Sequence, residues 1–385
     1  MSRSIIWQTP FLEDRHRLLC DRLLAWDMPE VEHDPVAFGP PVRRMLRGLA
    51  DEGLLDLIIP AAGEAAMRVD LRAVCLVREI LAYRSGGLAD TAFVMQGIGT
   101  APLWIAGAQE MGWRHLDSAR RGETIAAFAL TEPETGSDVA NITTSAIRDG
   151  GAYVLNGVKT FITNAGIADH YILIVRTGEA PGSRGLSAFL IDADTPGLSV
   201  EPQHFVAPHA GGTIRLEECR VPADRLIGVP GGGFKTAMAT FDIFRASVGA
   251  AALGFGRRAL DESLGRVTER RLFGKFMAEM DGVQSKLADM ATGIEGAGLQ
   301  VYRAAWAKDT TGARCTREVS MAKMVATETA QEVIDAAVQL FGGAGVMVGS
   351  TVERLYREIR PMRIYEGASE VQKLVIAREL LNARK

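Results

Sequence analysis

The sequence predicts an α+β protein in which two helical regions flank a middle region of antiparallel strands. Apolar residues recur at helical spacing up to about residue 121, and they return to that spacing after Gly231. Between these regions the period shortens to β-rich runs, and Asp149-Gly150-Gly151 and Asn156-Gly157 are typical of hairpins. Because hairpins join antiparallel neighbours, we expect a compact antiparallel sheet or barrel. The predicted domains span 1–122, 123–228 and 229–385.

The N-terminal region is predicted to be helical because leucines lie one turn apart, as in the pairs Leu18-Leu19 and Leu23-Leu24. Gly86-Gly87 is expected to break the helical pattern before another helix around 93–105. The middle region contains five β-rich runs, Ala126–Leu130, Ala152–Asn156, Tyr171–Arg176, Leu186–Ile191 and Thr213–Leu216. In the C-terminal region the predicted helices span 234–270, 280–308, 316–341 and 367–383.

Composition restricts the classes of function. The chain has 385 residues, 47% of them hydrophobic, and a net charge of −4, which is not the basic footprint of a nucleic-acid-binding protein. Its four cysteines are far apart and lack metal-ligand spacing, so we expect packed thiols and no metal. Because charges interrupt Met1 to Cys20 and no apolar run reaches membrane-spanning length, we expect a cytoplasmic enzyme without a membrane partner.

The run Arg363-Ile364-Tyr365-Glu366-Gly367 places a carboxylate between apolar residues and a glycine, just before a predicted helix. Ile364 and Tyr365 are expected to exclude water and raise the pKa of Glu366, which suits a general base. Ser369 and Gln372 have the spacing of a capping box for that helix. In the alternative interpretation, Glu366 only complements the helix dipole.

Two further segments are candidates for binding a cofactor. Thr131 to Val139 follows a predicted strand and is rich in hydroxyl groups, with Gly136 allowing close approach of a ligand; an ordinary capped turn is the alternative. Phe161 and Thr163 lie two residues apart on a strand and suit a planar heterocycle, although both are also good strand formers. Gln339 to Gly345 is glycine-rich but follows a helix, so a helix stop is favoured over a dinucleotide-binding loop.

In combination, these segments resemble the flavin-dependent acyl-CoA dehydrogenases. The resemblance extends along nearly the whole chain and is weakest in the first 120 residues. It rests on Ala129 to Pro133 with Gly136 to Asp138, Asn156 to Asn164, Arg270 to Lys275, Gln339 to Gly343, and Ile364 to Gly367 with Ala377 to Glu379.

The resemblance implies an N-terminal helical domain, a middle antiparallel β-domain, a C-terminal four-helix bundle and the cofactor FAD. It implies that the flavin contacts Phe128, Leu130, Thr131, Phe161, Ile162 and Thr163, and that Ser137 contacts the FAD diphosphate or the thioester ligand. It further implies a homo-oligomer, usually a tetramer, in which Arg270, Phe273, Gln339, Gly342 and Gly343 hold the FAD of a neighbouring subunit. Ala368 and Glu370 occupy positions that contact the FAD adenosine.

The resemblance also implies the chemistry. Glu366 removes the α-proton of an acyl-CoA and a β-hydride passes to the flavin, giving a trans-2-enoyl-CoA. The N–H of Glu366 and an FAD ribityl hydroxyl form the oxyanion hole. Some relatives carry the base at the position of Phe244, which is not ionisable. Substrate contacts are implied for Ser137, Asp242, Arg245, Tyr365 and Gly367.

An electron-transferring flavoprotein is the implied electron acceptor, and fatty acid β-oxidation is the implied setting. Alternatives are an acyl-CoA oxidase, a dehydrogenase of acyl carrier protein in a specialised pathway, and a non-catalytic or nucleic-acid-binding flavoprotein. The chain departs from the family pattern where Ala368 replaces threonine, where Glu370 replaces glutamine, and at Phe205 to Thr213. His209, in this last segment, is interpreted as solvated rather than as a phosphate ligand.

Overall fold

The computed structural model describes residues 9–29, 37–61, 67–107 and 110–384. The chain divides into two compact units, each described separately below. We call residues 1–27, 70–90 and 245–385 the helical unit, and residues 28–69 and 91–244 the sheet unit. The predicted domain boundaries at 122 and 228 remain predictions. In the described ranges, no helix combines the length and the apolar character needed to cross a membrane.

The sheet unit is built around one large, mostly antiparallel sheet. Its strands run β6-β7-β3-β2-β4-β5-β8, and β1 pairs with β4. The five predicted β-rich runs all fall on strands of this sheet. The strand bounds are β1 Ala126–Ala129, β2 Ser145–Asp149, β3 Ala152–Thr163, β4 His170–Arg176, β5 Leu186–Asp192, β6 Leu198–Pro202, β7 Gly211–Pro222 and β8 Leu226–Ile227.

The pairing confirms the expected antiparallel sheet and adds two parallel pairs, β1 with β4 and β2 with β4, where Ser145 lies opposite Arg176. Asp149 pairs with Ala152 across the turn between β2 and β3, as the glycines there predict. Strand β3 then runs antiparallel to β7, and β4 runs antiparallel to β5. Strand β1 lies parallel to β4, beginning with Ala126 opposite His170.

The predicted hairpin at Asn156-Gly157 is wrong, because both residues lie inside β3. Here the register with β7 shifts between Leu155 and Gly157. Gly157 has a φ of 147°, and a Cβ there would lie 2.7 Å from the Cα of Thr144, so only glycine fits. The Asn156 side chain donates to and accepts from Glu218 at 2.8 Å. This pair marks a β-bulge rather than a turn.

The helices are α1 Asp14–Ala25, α2 Gly39–Asp51, α3 Leu71–Ser85, α4 Gly87–Ile105, α5 Glu110–Arg120, α6 Gly233–Glu269, α7 Asp281–Thr311, α8 Thr316–Phe341, α9 Thr351–Ile359 and α10 Ser369–Asn382. The expected break occurs at Gly86, which has a φ of 85°. A short pair of strands, β9 Arg271–Leu272 and β10 Lys275–Phe276, follows α6.

In the helical unit, α3 and α6 pack closely at Gly254. A Cβ at this position would lie 2.2 Å from the carbonyl oxygen of Glu79. The Glu79 carboxylate is buried beside this contact, where it accepts from Arg257 at 2.7 Å and from Tyr302 at 2.6 Å. Because its charge is compensated within the core, this network fixes α3 against α6 and α7.

Candidate active site

The backbone around Glu366 forms a strained turn between α9 and α10. The N–H groups of Ile364 and Tyr365 donate to the carbonyl of Pro361 at 2.8 and 3.0 Å. The next two residues adopt positive φ angles, 52° for Glu366 and 96° for Gly367. A non-glycine residue in this region costs about 1–3 kcal/mol, so the surrounding structure must hold Glu366 in place.

Side chains from three helices hold this turn by its carbonyl groups. Arg245 Nε of α6 donates to the Glu366 carbonyl at 3.2 Å, and Lys323 Nζ of α8 donates to the Gly367 carbonyl at 3.0 Å. Gln372 Nε2 of α10 donates to both, at 3.3 and 2.9 Å. Among the hydrogen bonds of the described residues, the N–H of Glu366 has no acceptor. The carbonyls are therefore fixed while one amide stays available to a ligand.

The predicted capping box at Ser369 and Gln372 is wrong. Ser369 is the first residue of α10, and its hydroxyl donates to Glu328. The Gln372 side chain turns back to the Glu366–Gly367 carbonyls. A Cβ on Gly367 would lie 2.3 Å from Gln372 Nε2, so the glycine makes room for this side chain. The two residues hold the turn instead of capping the helix.

The carboxylate of Glu366 has the properties of a base. Its Oε2 atom is buried without a hydrogen-bond partner among the described residues. Burial raises the pKa of Glu366, while the cations Arg78, Arg245 and Lys323 oppose the rise and Asp90 adds to it. The expected cover by Ile364 and Tyr365 is wrong, because these residues are 57% and 39% exposed.

Arg78 is a site residue that sequence reasoning missed. It is buried on α3 and donates to both carboxylate oxygens of Asp90 at 2.7 Å, and to Ser247 at 3.0 Å. Its charge also acts on the hydroxyl of Tyr365, where it opposes a rise in the pKa. Burial raises the pKa of the Tyr365 hydroxyl, so this group stays neutral. The signal for Arg78 was an arginine inside the apolar run from Leu71 to Ala82.

Lys323 was missed as well. It lies on the buried face of α8, one turn from Val319 and one turn from Ala326 and Thr327. Burial lowers the pKa of its ammonium to about 8, although Glu366 acts in the opposite direction. A lysine at a core position of a helix otherwise lined by small apolar residues was the available signal.

The candidate cofactor residues of the sheet unit come together through a buried ion pair. Lys159 Nζ of β3 donates to Glu132 at 2.9 Å and to the carbonyl of Leu130 at 3.0 Å. The N–H of Thr160 donates to the carbonyl of Thr131 at 2.9 Å. These contacts join the loop after β1 to β3, so the segments 130–132 and 159–160 form one structural unit.

The Glu132 carboxylate is fully satisfied. Besides Lys159, it accepts from the backbone N–H groups of Thr143 and Thr144 at 2.7 and 2.8 Å. Burial opposes ionisation, but Lys159 and these donors lower the pKa of Glu132 to about 2. Burial likewise lowers the pKa of Lys159 to about 8. The pair anchors the loop and is not available for catalysis.

Next to this anchor, the structure leaves an aromatic ring uncovered. Phe161 has a φ of 58° and is 62% exposed, and its N–H donates to Gln203 at 3.2 Å. Ile162 is buried between Phe161 and the partly exposed Thr163. Phe128 and Leu130 are buried, whereas Thr131 is partly exposed and Ser137 is exposed on the loop.

In the helical unit, the residues predicted to hold the FAD of a neighbour are exposed, namely Arg270, Phe273, Gln339, Gly342 and Gly343. Phe273 is 95% exposed at the tip of the β9–β10 hairpin. Gly342, with a φ of 61°, ends α8, as the helix-stop interpretation predicts. Ala368 is partly exposed and Glu370 is exposed at the start of α10.

The other predicted positions have the following environments. Phe244 is buried in the sheet unit, where its ring packs against Gly97. Asp242, also in the sheet unit, is partly exposed. His209 is stacked on Phe205, with ring centroids 4.8 Å apart, and burial lowers its pKa. His209 is thus partly exposed and partly covered by Phe205, rather than fully solvated.

The chain is similar to known proteins over most of its length. Residues 231–381 match the model of the acyl-CoA dehydrogenase C-terminal domain, and residues 127–218 match that of the acyl-CoA dehydrogenase middle domain. The cyclohexane-1-carbonyl-CoA dehydrogenase of Geobacter metallireducens is 39% identical over 336 residues, which cover 86% of this chain and 88% of the relative.

Two solved structures have similar folds. Butyryl-CoA dehydrogenase from Megasphaera elsdenii superposes with a TM-score of 0.85 at 31% identity, covering 97% of this chain and 98% of the other. The structure of PigA with FAD and proline gives a TM-score of 0.86 at 28% identity, covering 96% and 98%. The confirmed fold class thus extends over almost the full length of both chains.

Proposed function

The chain belongs to the acyl-CoA dehydrogenase family, and from this premise we propose that it oxidises an acyl-CoA thioester to a trans-2-enoyl-CoA with FAD. One observation carries the proposal. Glu366 combines a buried, unpartnered carboxylate oxygen and a raised pKa with a strained turn and a backbone N–H that has no acceptor among the described residues. A base and a hydrogen-bond donor on one residue suit enolate formation.

The residues of the sheet unit fit FAD. Phe161 offers an exposed ring next to Thr163, and the anchored loop places Thr131 and Ser137 at its surface. Thr135 Oγ1 is buried without a partner among the described residues, which leaves one hydroxyl able to bond a ligand. When bound, FAD supplies the acceptor for the β-hydride. The PigA structure supports this assignment, because it contains FAD in a chain of the same fold.

The residues of the helical unit account for the proton. Glu366 takes the α-proton of the thioester, and its own N–H donates to the thioester oxygen as negative charge develops there. Because burial raises the pKa of Glu366, the carboxylate is a stronger base than an exposed glutamate. The positive charges of Arg78 and Arg245 near the carboxylate also stabilise the enolate.

The proposal includes a substrate class, an electron acceptor and an oligomeric state. The substrate is a CoA thioester whose acyl group is cyclic, branched or short, and the electron acceptor is an electron-transferring flavoprotein. Asp242, Arg245, Tyr365 and Gly367 contact the substrate. The exposed residues around the β9–β10 hairpin and the end of α8 hold the FAD of a neighbouring chain in a cytoplasmic homotetramer.

The test is anaerobic mixing of the FAD-loaded protein with a panel of acyl-CoA thioesters. The panel includes cyclohexane-1-carbonyl-CoA, the substrate named for the Geobacter relative, and butyryl-CoA. We expect at least one substrate to bleach the flavin, and Glu366→Gln to slow bleaching by about 10²–10⁴-fold. Glu332→Gln, at an exposed position of α8, is the matched control.

Retained bleaching in Glu366→Gln would refute the assignment of the base. Failure of every thioester to bleach the wild type would refute the proposed activity. Admission of air after bleaching then separates the electron acceptors: rapid return of the flavin colour favours an oxidase, and slow return favours the flavoprotein acceptor.

A further inference from the structure

Lys323 is a buried cation that the proposed reaction does not itself require. Its side chain is 0% exposed, yet its ammonium donates to a backbone carbonyl, that of Gly367, at 3.0 Å. An ammonium is expensive to bury, and a residue such as methionine would pack the same helix position without that cost. The hydrogen bond that offsets the cost of burying the ammonium therefore indicates the role of this lysine.

The contact lies at the residue next to the base. Gly367 follows Glu366, and the two adopt the consecutive positive φ angles of 96° and 52°. Arg245 binds the first carbonyl of this turn, Lys323 binds the second, and Gln372 bridges both. Lys323 is the only one of the three donors that is both ionic and directed at the second carbonyl.

Charges from several helices face this pair. Glu366 is faced by Arg78 of α3, Asp90 of α4, Arg245 of α6 and Lys323 of α8. Lys323 is faced by Glu366 and Arg245, by Glu328 of its own helix, and by Glu370 of α10. Among these charges of the described residues, three are cations and one is an anion. Arg245 and Lys323 also bind the turn, Arg245 through the Glu366 carbonyl and Lys323 through the Gly367 carbonyl.

We propose that Lys323 is a positioning residue of the active site, which holds the Glu366–Gly367 turn through the Gly367 carbonyl and stabilises the ionised Glu366 by its charge. The inference rests on the proposed function of Glu366. The two parts separate experimentally, because an amide at position 323 keeps a donor and loses the charge, whereas a thioether loses both.

The two variants lead to different expectations. In Lys323→Met the turn loses a donor and the base loses a cation, so we expect flavin reduction about tenfold or more slower and a higher pKa for the acidic limb of kcat/KM. In Lys323→Gln we expect the pKa of the acidic limb of kcat/KM to stay higher than in the wild type. Most of the rate of flavin reduction at high pH should nevertheless return. Lys286→Met, at a partly exposed position of α7, is the control.

Hydrogen exchange of the peptide containing residues 364–368 gives a measurement that needs no substrate. We expect faster exchange in Lys323→Met than in the wild type, with near wild-type exchange in Lys323→Gln. If Lys323→Met does not fold, Lys323→Gln carries the test through its raised pKa. If Lys323 has only a structural role, its substitution will lower the urea midpoint and leave the pH profile unchanged. That result would overturn the inference.

The two proposals fail in different ways. If no thioester reduces the flavin of the wild type, the proposed function is wrong, and exchange still measures whether Lys323 holds the turn. If the wild type is active and both Lys323 variants match it in pH profile and exchange, the positioning role is wrong while the function stands.

Discussion

Two buried lysines of the described residues each lie near a glutamate, but the two glutamates have opposite pKa shifts. In the sheet unit, Lys159 binds Glu132 directly, and burial lowers the pKa of the lysine to about 8. In the helical unit, burial lowers the pKa of Lys323 to about 8 as well, but this lysine binds a carbonyl and leaves an oxygen of Glu366 without a partner.

The difference lies in the donors around each carboxylate. Two backbone amides, a threonine hydroxyl and an ammonium lower the pKa of Glu132 to about 2, so it is a permanent anion that anchors a loop. Glu366 lacks this set of donors and burial raises its pKa. The direct ion pair with Lys159, together with the hydrogen-bond donors, thus distinguishes the buried Glu132 from the buried carboxylate oxygen of Glu366.

The sharpest test of this comparison is to neutralise each carboxylate. Glu132→Gln leaves the buried Lys159 without its counter-charge, so we expect the free energy of unfolding to fall by about 3–5 kcal/mol. Glu366→Gln removes a charge that burial disfavours, so its unfolding free energy should not fall. Urea denaturation at neutral pH measures both, with Glu134→Gln, exposed in the same loop as Glu132, as control.

The pH dependence of stability should differ in sign between the two glutamates. The folded-state pKa of Glu132 is about 2, below the ordinary 4.5, so its contribution is present above pH 4.5 and is lost as pH falls toward 2. This amounts to about 3 kcal/mol. The pKa of Glu366 is raised, so its ionisation costs stability as pH rises above 4.5.

Denaturation curves between pH 3 and pH 8 measure these slopes. The stability difference between wild type and Glu132→Gln should grow with pH up to about 4.5. The difference between wild type and Glu366→Gln should shrink or reverse over the range above that. Parallel slopes for the two variants would contradict the comparison.

Backbone substitutions test the same contrast with a smaller effect. Gly367→Ala places a Cβ 2.3 Å from Gln372 Nε2 at a φ of 96°, and we expect a loss of about 1–3 kcal/mol in unfolding free energy. Gly136→Ala, in the loop anchored by Glu132, meets no atom within 4 Å and should change stability by less than about 0.5 kcal/mol. Thermal denaturation of both variants checks the difference.

Much of the fold follows from local patterns. The predicted helix 316–341 coincides with α8, and the glycines after Asp149 form the turn that they predict. Local sequence patterns gave a wrong prediction where side chains contact residues that are distant in sequence. Asn156-Gly157 has a hairpin composition, but Glu218 of another strand satisfies the asparagine, and the glycine makes room for Thr144. Strand β2, which is largely polar and exposed, gave no apolar signal.

The sequence pointed to Glu366 as the proposed base, but it did not reveal the side chains that surround the Glu366 turn. Glu366 stood out because of its neighbours in sequence. The structure shows that Glu366 and Gly367 have unusual backbone conformations, with positive φ angles. Arg78 and Lys323 come from α3 and α8, and only the tertiary structure brings them to that turn. Gln372 is local, because it lies six residues from Glu366 and its side chain turns back to the Glu366 carbonyl. A charged residue at a predicted buried position of a helix indicates residues such as Arg78 and Lys323. It does not indicate which residue they contact.

The composition of the helical unit from three separate segments has a consequence for how the protein is made. Helix α3 binds Asp309 of α7 through the N–H of Leu71, a partner 238 residues further along the chain. At about 5–20 residues per second, a ribosome needs roughly 10–50 s to synthesise the intervening chain. During that interval the apolar surface of α3 has no α7 to cover it, so the nascent chain is most vulnerable to aggregation before its C-terminal helices emerge.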